Sequence, residues 1–451
     1  MKLLRHADVL VCMDDARREI ADGAIAWQDG VIVAVGTSQE LAHFAEDANE
    51  VIDAKGCVVT PGLVNTHHHL YQTLTRALPG AINVSLFGWL KRLYPIWARY
   101  TPEDVFAATQ LGLAELALSG CTMSSDHHYL YPPGVTLDDS IHAAQEVGLR
   151  FHATRGSMSV GESKGGLPPD SVVEEEAAIF ADTIRVIDRF HDPRDGAMLR
   201  VAVAPCSPFS VSTDLMRDAA LLARDKGVML HTHLAEDADD VAFSLERFGC
   251  RPGQYAEDLG WTGPDVWHAH CVQLDAAEID LFARTKTGVA HCPCSNCRLG
   301  SGIAPLRAML DAGVPVGLGV DGSASNDSGH LLAEARQAML LQRVTHGADS
   351  FDPREALHLA TRGGAQVLGR SDVGSLEVGK RADLVIWDMA DVASTGAWDK
   401  VAGLVLAPPT QARDVFVEGR AVVRGGDLVQ VRRAEVLRAA NRSLERLKTF
   451  A

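Results

Sequence analysis

No stretch of this 451-residue chain is apolar over the roughly 18 residues that a membrane-spanning helix needs. The opening MKLLRHADVLVCMDD holds no apolar block long enough for the core of a secretory signal. No Lys/Arg cluster interrupts a net charge of −17, which excludes the basic face that a nucleic acid would require. There is no short-period repeat and no GxGxxG after a first strand, so neither a solenoid nor a dinucleotide-binding open sheet is indicated. These absences predict a cytoplasmic globular protein with no membrane and no nucleic-acid partner. The nine cysteines are odd in number and scattered through apolar runs, as expected of small hydrophobic side chains in a reducing compartment. At 47% hydrophobic and 22% charged residues, a chain of this length can bury a large core, and it suits one large domain beside a smaller one.

What the chain does have is a recurrence of apolar runs ending in polar or histidine residues. VVTPGLVNTHHH (58–69), CTMSSDHH (121–128), LRFHATRG (149–156) and LRVAVAPCSP (199–208) are followed by VMLHTHLAE (228–236), DVWHAHC (265–271), GVAHCPCS (288–295) and VPVGLGVDG (314–322), eight in all. Amphipathic segments such as ATQLGLAELALSG (108–120) and STDLMRDAALLARDKG (212–227) separate them. Pro102 after Thr101 and the Ser212-Thr213 pair suit helix starts, while Gly120, Gly148, Gly227, Gly288 and Gly313 suit helix ends. Eight strand–helix units predict a (β/α)₈ TIM-type barrel over residues 58–372, with its chemistry at the strand C-termini. Residues 1–57 and 373–451 read differently. Short alternating runs (AIAWQDGVIVAVG, VIDAKGCVV, VGSLEVGKRADLVIWD, VAGLVLAP, ARDVFVEGRAVVRGG) carry Asp-Gly and Glu-Gly hairpin signals, and predict a small β-sandwich built from both chain ends. An amphipathic helix is expected from Arg433 to Phe450.

Four strand-end pieces carry candidate chemistry. In Asn65-Thr-His67-His68-His69 the two-residue period of a strand sends His67 and His69 to one side and His68 to the other. Same-side imidazoles suit a metal chelate. His231-Thr-His233-Leu-Ala-Glu236 places a third imidazole and a carboxylate at the fifth strand, His268-Ala-His270 lies on the sixth, and Gly319-Val-Asp321-Gly322 ends the eighth. Read singly, His231 and His268 could equally be satisfied core histidines, and Asp321 a helix cap; four such pieces at four strand ends favour a functional centre.

The stretch HCPCSNC (291–297) raises a competing reading, because it holds PCxxC, half of the zinc signature of cytidine deaminases. The other half, HxE, occurs nowhere in the chain. His291 and Cys292 are adjacent, so a strand would point them to opposite sides, against a zinc knuckle. The expectation is that Cys294 and Cys297 are pocket and packing groups.

Taken together, PGLVNTHHH, HTHLAE, HAHC, SNCRLGSGIAPL and GVDGSASND resemble the amidohydrolase superfamily, in the branch of guanine deaminase, the triazine hydrolases and 8-oxoguanine deaminase. DGVIVAVG…VIDAKGCVVTPG and GSLEVGKRADLVIWD extend the resemblance to nearly the whole chain, and TMSSDHHYLYP with FHATRGSMS is most similar to the 8-oxoguanine deaminases. The resemblance implies one divalent metal ion, expected to be zinc although a His₃Asp set also accepts iron, held by His67, His69, His233 and Asp321. It implies Glu236 as proton shuttle, His270 as hydrogen-bond partner of the water or substrate, and Asp321 as acceptor of the attacking water's proton. A second metal would need a bridging group on the fourth strand; VAVAPCSP offers no Lys, Asp or Glu there, and only Cys206 as a thiolate. The expected reaction is hydrolytic deamination of an oxopurine, 8-oxoguanine first, with guanine, isocytosine or triazine substrates as rivals. A non-catalytic scaffold would lack these ligands. Gln72, Trp89, His128, Arg155, Cys206 and Ser207 are the substrate candidates, with Cys294 in the wall; Arg155 would donate to carbonyl oxygens unless a carboxylate such as Asp126 claims it. Relatives of this architecture commonly associate, which leaves a homo-oligomer open.

Overall fold

The computed structural model describes residues 1–407 and 411–450; Pro408, at the end of the VAGLVLAP run, lies outside them. Eight parallel strands form the barrel in chain order: Leu63–Asn65, Cys121–His128, Arg150–Ser157, Leu199–Pro205, Met229–Leu234, Val266–His270, Gly288–His291 and Val316–Leu318. The last meets the first through Thr66 N–H on Leu318 O (2.9 Å) and Val320 N–H on Asn65 Oδ1 (2.9 Å). Val64, Met123, Ala202, Trp267 and Ala290 pack into a plug at the N-terminal end of the barrel. Helices run between the strands with the signals the sequence carries. Thr101 caps Pro102–Leu118 with a reciprocal Asp104 box, and Ser212 caps Thr213–Lys226 before left-handed Gly227. Gly288 is an exception: it lies inside the seventh strand, and Lys286 takes the left-handed turn. Among the described residues no helix is long and apolar enough to cross a membrane.

Both chain ends pair in one nine-stranded mixed sheet outside the barrel. Its centre is Cys57–Pro61, parallel to Lys2–Val11 on one side and antiparallel to Leu384–Asp388 on the other. Residues 57–61 therefore belong to the sheet, and the barrel begins after Gly62. A side chain at Gly62 would overlap Thr122 Oγ1 at 2.0 Å, so only glycine lets the chain pass from sheet to barrel there. Asp29-Gly30 and Glu418-Gly419 form two-residue hairpins with positive φ at all four residues, the type I′ geometry that their sequence signals. The sheet rolls over far enough that Ile32 N–H reaches Lys380 O and Trp27 Nε1–H reaches Gly419 O.

One expectation changes. VAGLVLAP is not a strand: Lys400–Leu406 is a helix capped by Asp399, with Val401, Leu404 and Val405 buried at helical spacing. The expected C-terminal helix is present as Arg433–Leu447; it packs on barrel helix 102–118, where Arg446 reaches Arg99 O and Asp104, and its first residue, Arg433, reaches Gly426 O of the last sheet hairpin.

A buried ion network joins the two parts. Arg150, at the start of the third barrel strand, donates Nε–H and Nη2–H to Asp383 (2.6 and 2.9 Å) and Nη1–H to Gly196 O (2.7 Å). Asp383 also accepts Glu418 N–H (2.8 Å). Arg150→Met strands a buried carboxylate and should cost about 3–5 kcal/mol in chemical denaturation, with part regained in the Arg150→Met/Asp383→Leu double variant. A single-variant loss below about 1 kcal/mol would mean the pair is only surface-like.

Candidate metal centre and active site

The first, fifth and eighth strands deliver their polar residues to one point at the barrel's C-terminal mouth. His67 Nε2 and His69 Nε2 each lie 3.3 Å from Asp321 Oδ1, and His69 Nε2 lies 3.1 Å from His233 Nε2. His68 turns outward, toward helix 102–118 beside Gly112, as the strand period requires.

The hydrogen bonds fix what these nitrogens can do. His69 Nδ1–H donates to His127 O (2.7 Å) and His233 Nδ1–H to Cys206 O (2.6 Å). His231 Nδ1–H donates to Trp267 O (2.9 Å), so its Nε2 is an acceptor and takes the proton of His67 Nδ1 (2.8 Å). All three Nε2 atoms therefore present bare lone pairs. Burial holds all three imidazoles below the ordinary range, so they are neutral. Asp321 supplies the fourth donor. Its Oδ2 accepts Ser295 Oγ–H (2.5 Å) and Ser325 Oγ–H (2.7 Å), and Oδ1 is left buried without a hydrogen-bond donor, like His67 Nε2. Burial alone would raise this carboxyl; the contact with His67 and the nearby His270 and His69 together outweigh it and hold the group well below the usual range. Lone pairs brought this close repel unless a cation lies among them. Three imidazoles and a carboxylate are the donor set of a nitrogen- and oxygen-seeking divalent ion, and their outward nitrogens are tied to acceptors as such ligands require. His127, whose ligand atom also falls within 4.8 Å of those of His67, His69 and His233, is a neighbour that the sequence reading left out. Its Nε2–H donates to Ala204 O (3.0 Å) and its ring stacks on His233.

Glu236 and His270 stand over this group. Ala235 takes φ +51°, and Asp240 Oδ2 accepts Glu236 N–H (3.0 Å), which together turn the glutamate back into the mouth. Burial, then the nearby Asp321, Asp237 and Asp240 carboxylates, push Glu236 well above the ordinary carboxyl range. His270 Nε2 is 3.7 Å from Glu236 Oε2, and its Nδ1–H donates to Asn296 Oδ1 (2.9 Å). Ser295 and Asn296 thus grip Asp321 and His270 directly. In HCPCSNC they sit on the short helix Pro293–Leu299, not on the seventh strand, which ends at His291. No metal-ligand cluster involves its cysteines among the described residues.

The cleft beside the metal donors is walled by Leu86, Trp89, Leu90 and Tyr94 of helix Leu86–Trp97, and by Phe209 and Leu299. Gln72, Ser207 and Ser325 supply polar groups, and Cys206 and Tyr129 complete the floor. Gln72 is fully buried, with neither its Nε2 nor its Oε1 paired within the protein. A Cβ on Gly322 would meet Gln72 Oε1 at 1.9 Å, so the glycine after Asp321 makes room for that amide. Among the sequence candidates Gln72, Trp89, Cys206 and Ser207 line the cleft, and three do not. Arg155 is spent on Asp182 (Nε, 2.6 Å) and Glu174 (Nη2, 2.8 Å) and lies over the Tyr131 ring, 3.9 Å from its centroid. The expected rival partner, Asp126, instead accepts Leu70 N–H (2.9 Å). His128 is held between Ser140 Oγ and Leu130 O. Cys294 faces Glu334, which accepts its N–H at 3.1 Å, because the helix beginning at Pro293 turns it off the strand direction. Of the lining residues missed, Leu86, Leu90 and Tyr94 follow i, i+4, i+8 spacing, a readable stripe, while Tyr129, Phe209, Leu299 and Ser325 come from separate segments.

His231 also acts through His67, so His231→Phe should weaken divalent-metal affinity roughly 10- to 100-fold in chelator competition. Unchanged affinity would show that Trp267 O plays no part in setting the His67 tautomer. Cys294→Ala should leave both metal content and KM unchanged.

The model of the amidohydrolase family matches residues 58–422. The chain is 48% identical over 402 residues to 8-oxoguanine deaminase of Pseudomonas aeruginosa, covering 88% of this chain and 89% of that protein. It is 39% identical over 399 residues to isoxanthopterin deaminase of an unknown prokaryotic organism, covering 83% and 82%. The zinc complex of atrazine chlorohydrolase TrzN from Arthrobacter aurescens TC1 superposes with a TM-score of 0.94 at 34% identity, over 98% of this chain and 100% of that one. With matched family residues, fold and donor geometry in agreement, this chain belongs to the amidohydrolase family.

Proposed function

We propose that this protein is a zinc-dependent aminohydrolase that deaminates an oxopurine, 8-oxoguanine in the first instance, giving urate and ammonia. The observation that carries the substrate reading is the Gln72 amide, buried in the cleft that holds His69 and Asp321, with donor and acceptor both unpaired. A buried amide left in that state costs about 1–3 kcal/mol per group, and a ring edge offering an adjacent N–H and C=O satisfies both at once. The lactam edge of an oxopurine has that pattern. The likeness to 8-oxoguanine and isoxanthopterin deaminases supports the same substrate class. Arg155 contributes nothing to it, since its donors face Glu174 and Asp182.

His67, His69, His233 and Asp321 would hold the ion. When bound there, a divalent ion supplies a Lewis acid that brings the ionisation of water toward neutral pH. The apolar wall of Trp89, Leu90 and Phe209 stacks the ring and keeps bulk water away. Glu236, kept protonated by burial, gives its proton to the ring nitrogen beside the amine-bearing carbon, and that carbon becomes electrophilic. Asp321 takes the proton of the attacking water, with its Oδ2 steadied by Ser295 and Ser325. His270, locked by Asn296, presents Nε2 as an acceptor beside Glu236. One C–N bond breaks and one C–O bond forms; the proton taken by Asp321 passes to the amine, which leaves as ammonia, and the proton of the new hydroxyl returns Glu236 to its acid form.

Purified protein should release ammonia from 8-oxoguanine faster than from guanine, isocytosine, adenosine or an amino-triazine. Equal or absent turnover of 8-oxoguanine refutes the substrate, and a triazine preferred over it would move the protein to the triazine hydrolases. Glu236→Gln should retain its metal and lose about 10²- to 10⁴-fold in kcat. Gln72→Leu should cost about tenfold in kcat/KM, or about 1.4 kcal/mol, mainly through KM.

A further inference from the structure

At the opposite end of the barrel lies a second cleft that the chemistry above does not use. It is lined by His152, His191, Arg200, Met229, Asp265 and Gly369, where the third to sixth strands begin. His152 is 1% exposed, packs beside Trp267 of the barrel plug, and has no hydrogen-bond partner on either ring nitrogen. Arg200 is held in place by its outer nitrogens: Nη1–H donates to Gly369 O (3.0 Å) and Nη2–H to Pro193 O (3.2 Å). Its Nε is buried and unpaired, and it forms no ion pair among the described residues. His191 Nδ1 accepts Val201 N–H (3.1 Å), which leaves the proton on Nε2.

Of the carboxylates nearby, Asp265 pairs with Arg224 (3.0 Å), Asp192 with Arg194 (2.8 Å) and Asp372 with Arg370 (2.7 Å), while Asp195, also close to Arg200, makes no ion pair among the described residues. The cleft lining therefore gathers one guanidinium without an ion pair, two imidazoles and a single acid, Asp265, that is already paired. A cation is disfavoured there by charge. An anion with several oxygens meets a charged N–H and imidazole N–H donors, and the second nitrogen of neutral His152 can accept from its hydroxyl.

We propose that this cleft is a binding site for a small oxyanion of the hydrogen-phosphate type. Orphaned polar atoms nine-tenths buried are rare in folded proteins, and here they occur together around an open cleft. The N-terminal end of such a barrel governs stability and not chemistry, so the bound ion stabilises the fold and leaves turnover unchanged.

The test is calorimetric titration of the metal-loaded protein with inorganic phosphate at constant ionic strength, against chloride. One phosphate per chain should bind, with a rise in Tm that saturates. Arg200→Met and His152→Phe should each weaken binding at least tenfold while kcat/KM for deamination stays unchanged. Phosphate that binds wild type and both variants equally would belong to the metal centre or to no site, and overturns the proposal. So does the absence of saturable binding. Should Arg200→Met unfold, His152→Phe carries the comparison alone, because its ring makes no hydrogen bond that the fold would lose.

Discussion

The structure is organised around one constraint: three neutral imidazoles must be buried with their Nε2 lone pairs facing one another and a carboxylate. That arrangement is repulsive in itself, and it persists because every outward group is anchored. Carbonyls of His127, Cys206 and Trp267, the last through His231, fix the three tautomers, and two serine hydroxyls fix Asp321. Each anchor comes from a different strand or its following turn, so closing the barrel and assembling the metal donors are the same event. The turns that follow the strands show the cost. Ala235, His270 and Asp321 all take positive φ without being glycine, at about 1–3 kcal/mol each, to aim side chains into the mouth.

The outer sheet belongs to this arrangement and is not an appendage. Its central strand, Cys57–Pro61, runs straight into the first barrel strand through Gly62, and His67 follows five residues later. The position of His67 and His69 is thus set by a strand clamped between both chain ends. Arg150 and Asp383 hold the same junction on the neighbouring side.

Sequence made the His67–His69 pair legible because the strand period converts spacing directly into direction: His67 and His69 agree and His68 opposes them, whereas His233 and Asp321 joined them only through the family resemblance. The hairpins at Asp29-Gly30 and Glu418-Gly419 were legible for a similar reason, since their turn type demands those residues. Long-range pairing was not legible. Arg155 looks free at a strand end until Glu174 and Asp182, from the following loop and helix, are folded against it. Cys294 was misplaced because a strand direction was extended through Pro293, where a helix begins. The left-handed turns at Ala235 and Asp321 carry no residue signal at all. HCPCSNC repeats the lesson in one stretch: of its conspicuous cysteines only Cys292 is buried, Cys294 is half-buried and Cys297, expected as a packing group, is exposed, while the inconspicuous Ser295 and Asn296 hold Asp321 and His270.

Two carboxyl groups, Asp321 and Glu236, share one buried cleft, and their environments separate their charge states. Taking both as anions into so dry a site would add mutual repulsion to the burial penalty of each. Asp321 receives two hydroxyl donors, so the charge settles there. The Glu236 carboxyl receives no hydroxyl among the described residues; the bond it does make, Glu236 N–H to Asp240, holds only its backbone. The proton therefore stays on Glu236. An acid and a base at neutral pH follow from where the hydroxyls lie, without any difference in the intrinsic acidity of the two side chains. A divalent ion held by His67, His69, His233 and Asp321 would sit on the side already ionised and so keep the two carboxyl roles apart.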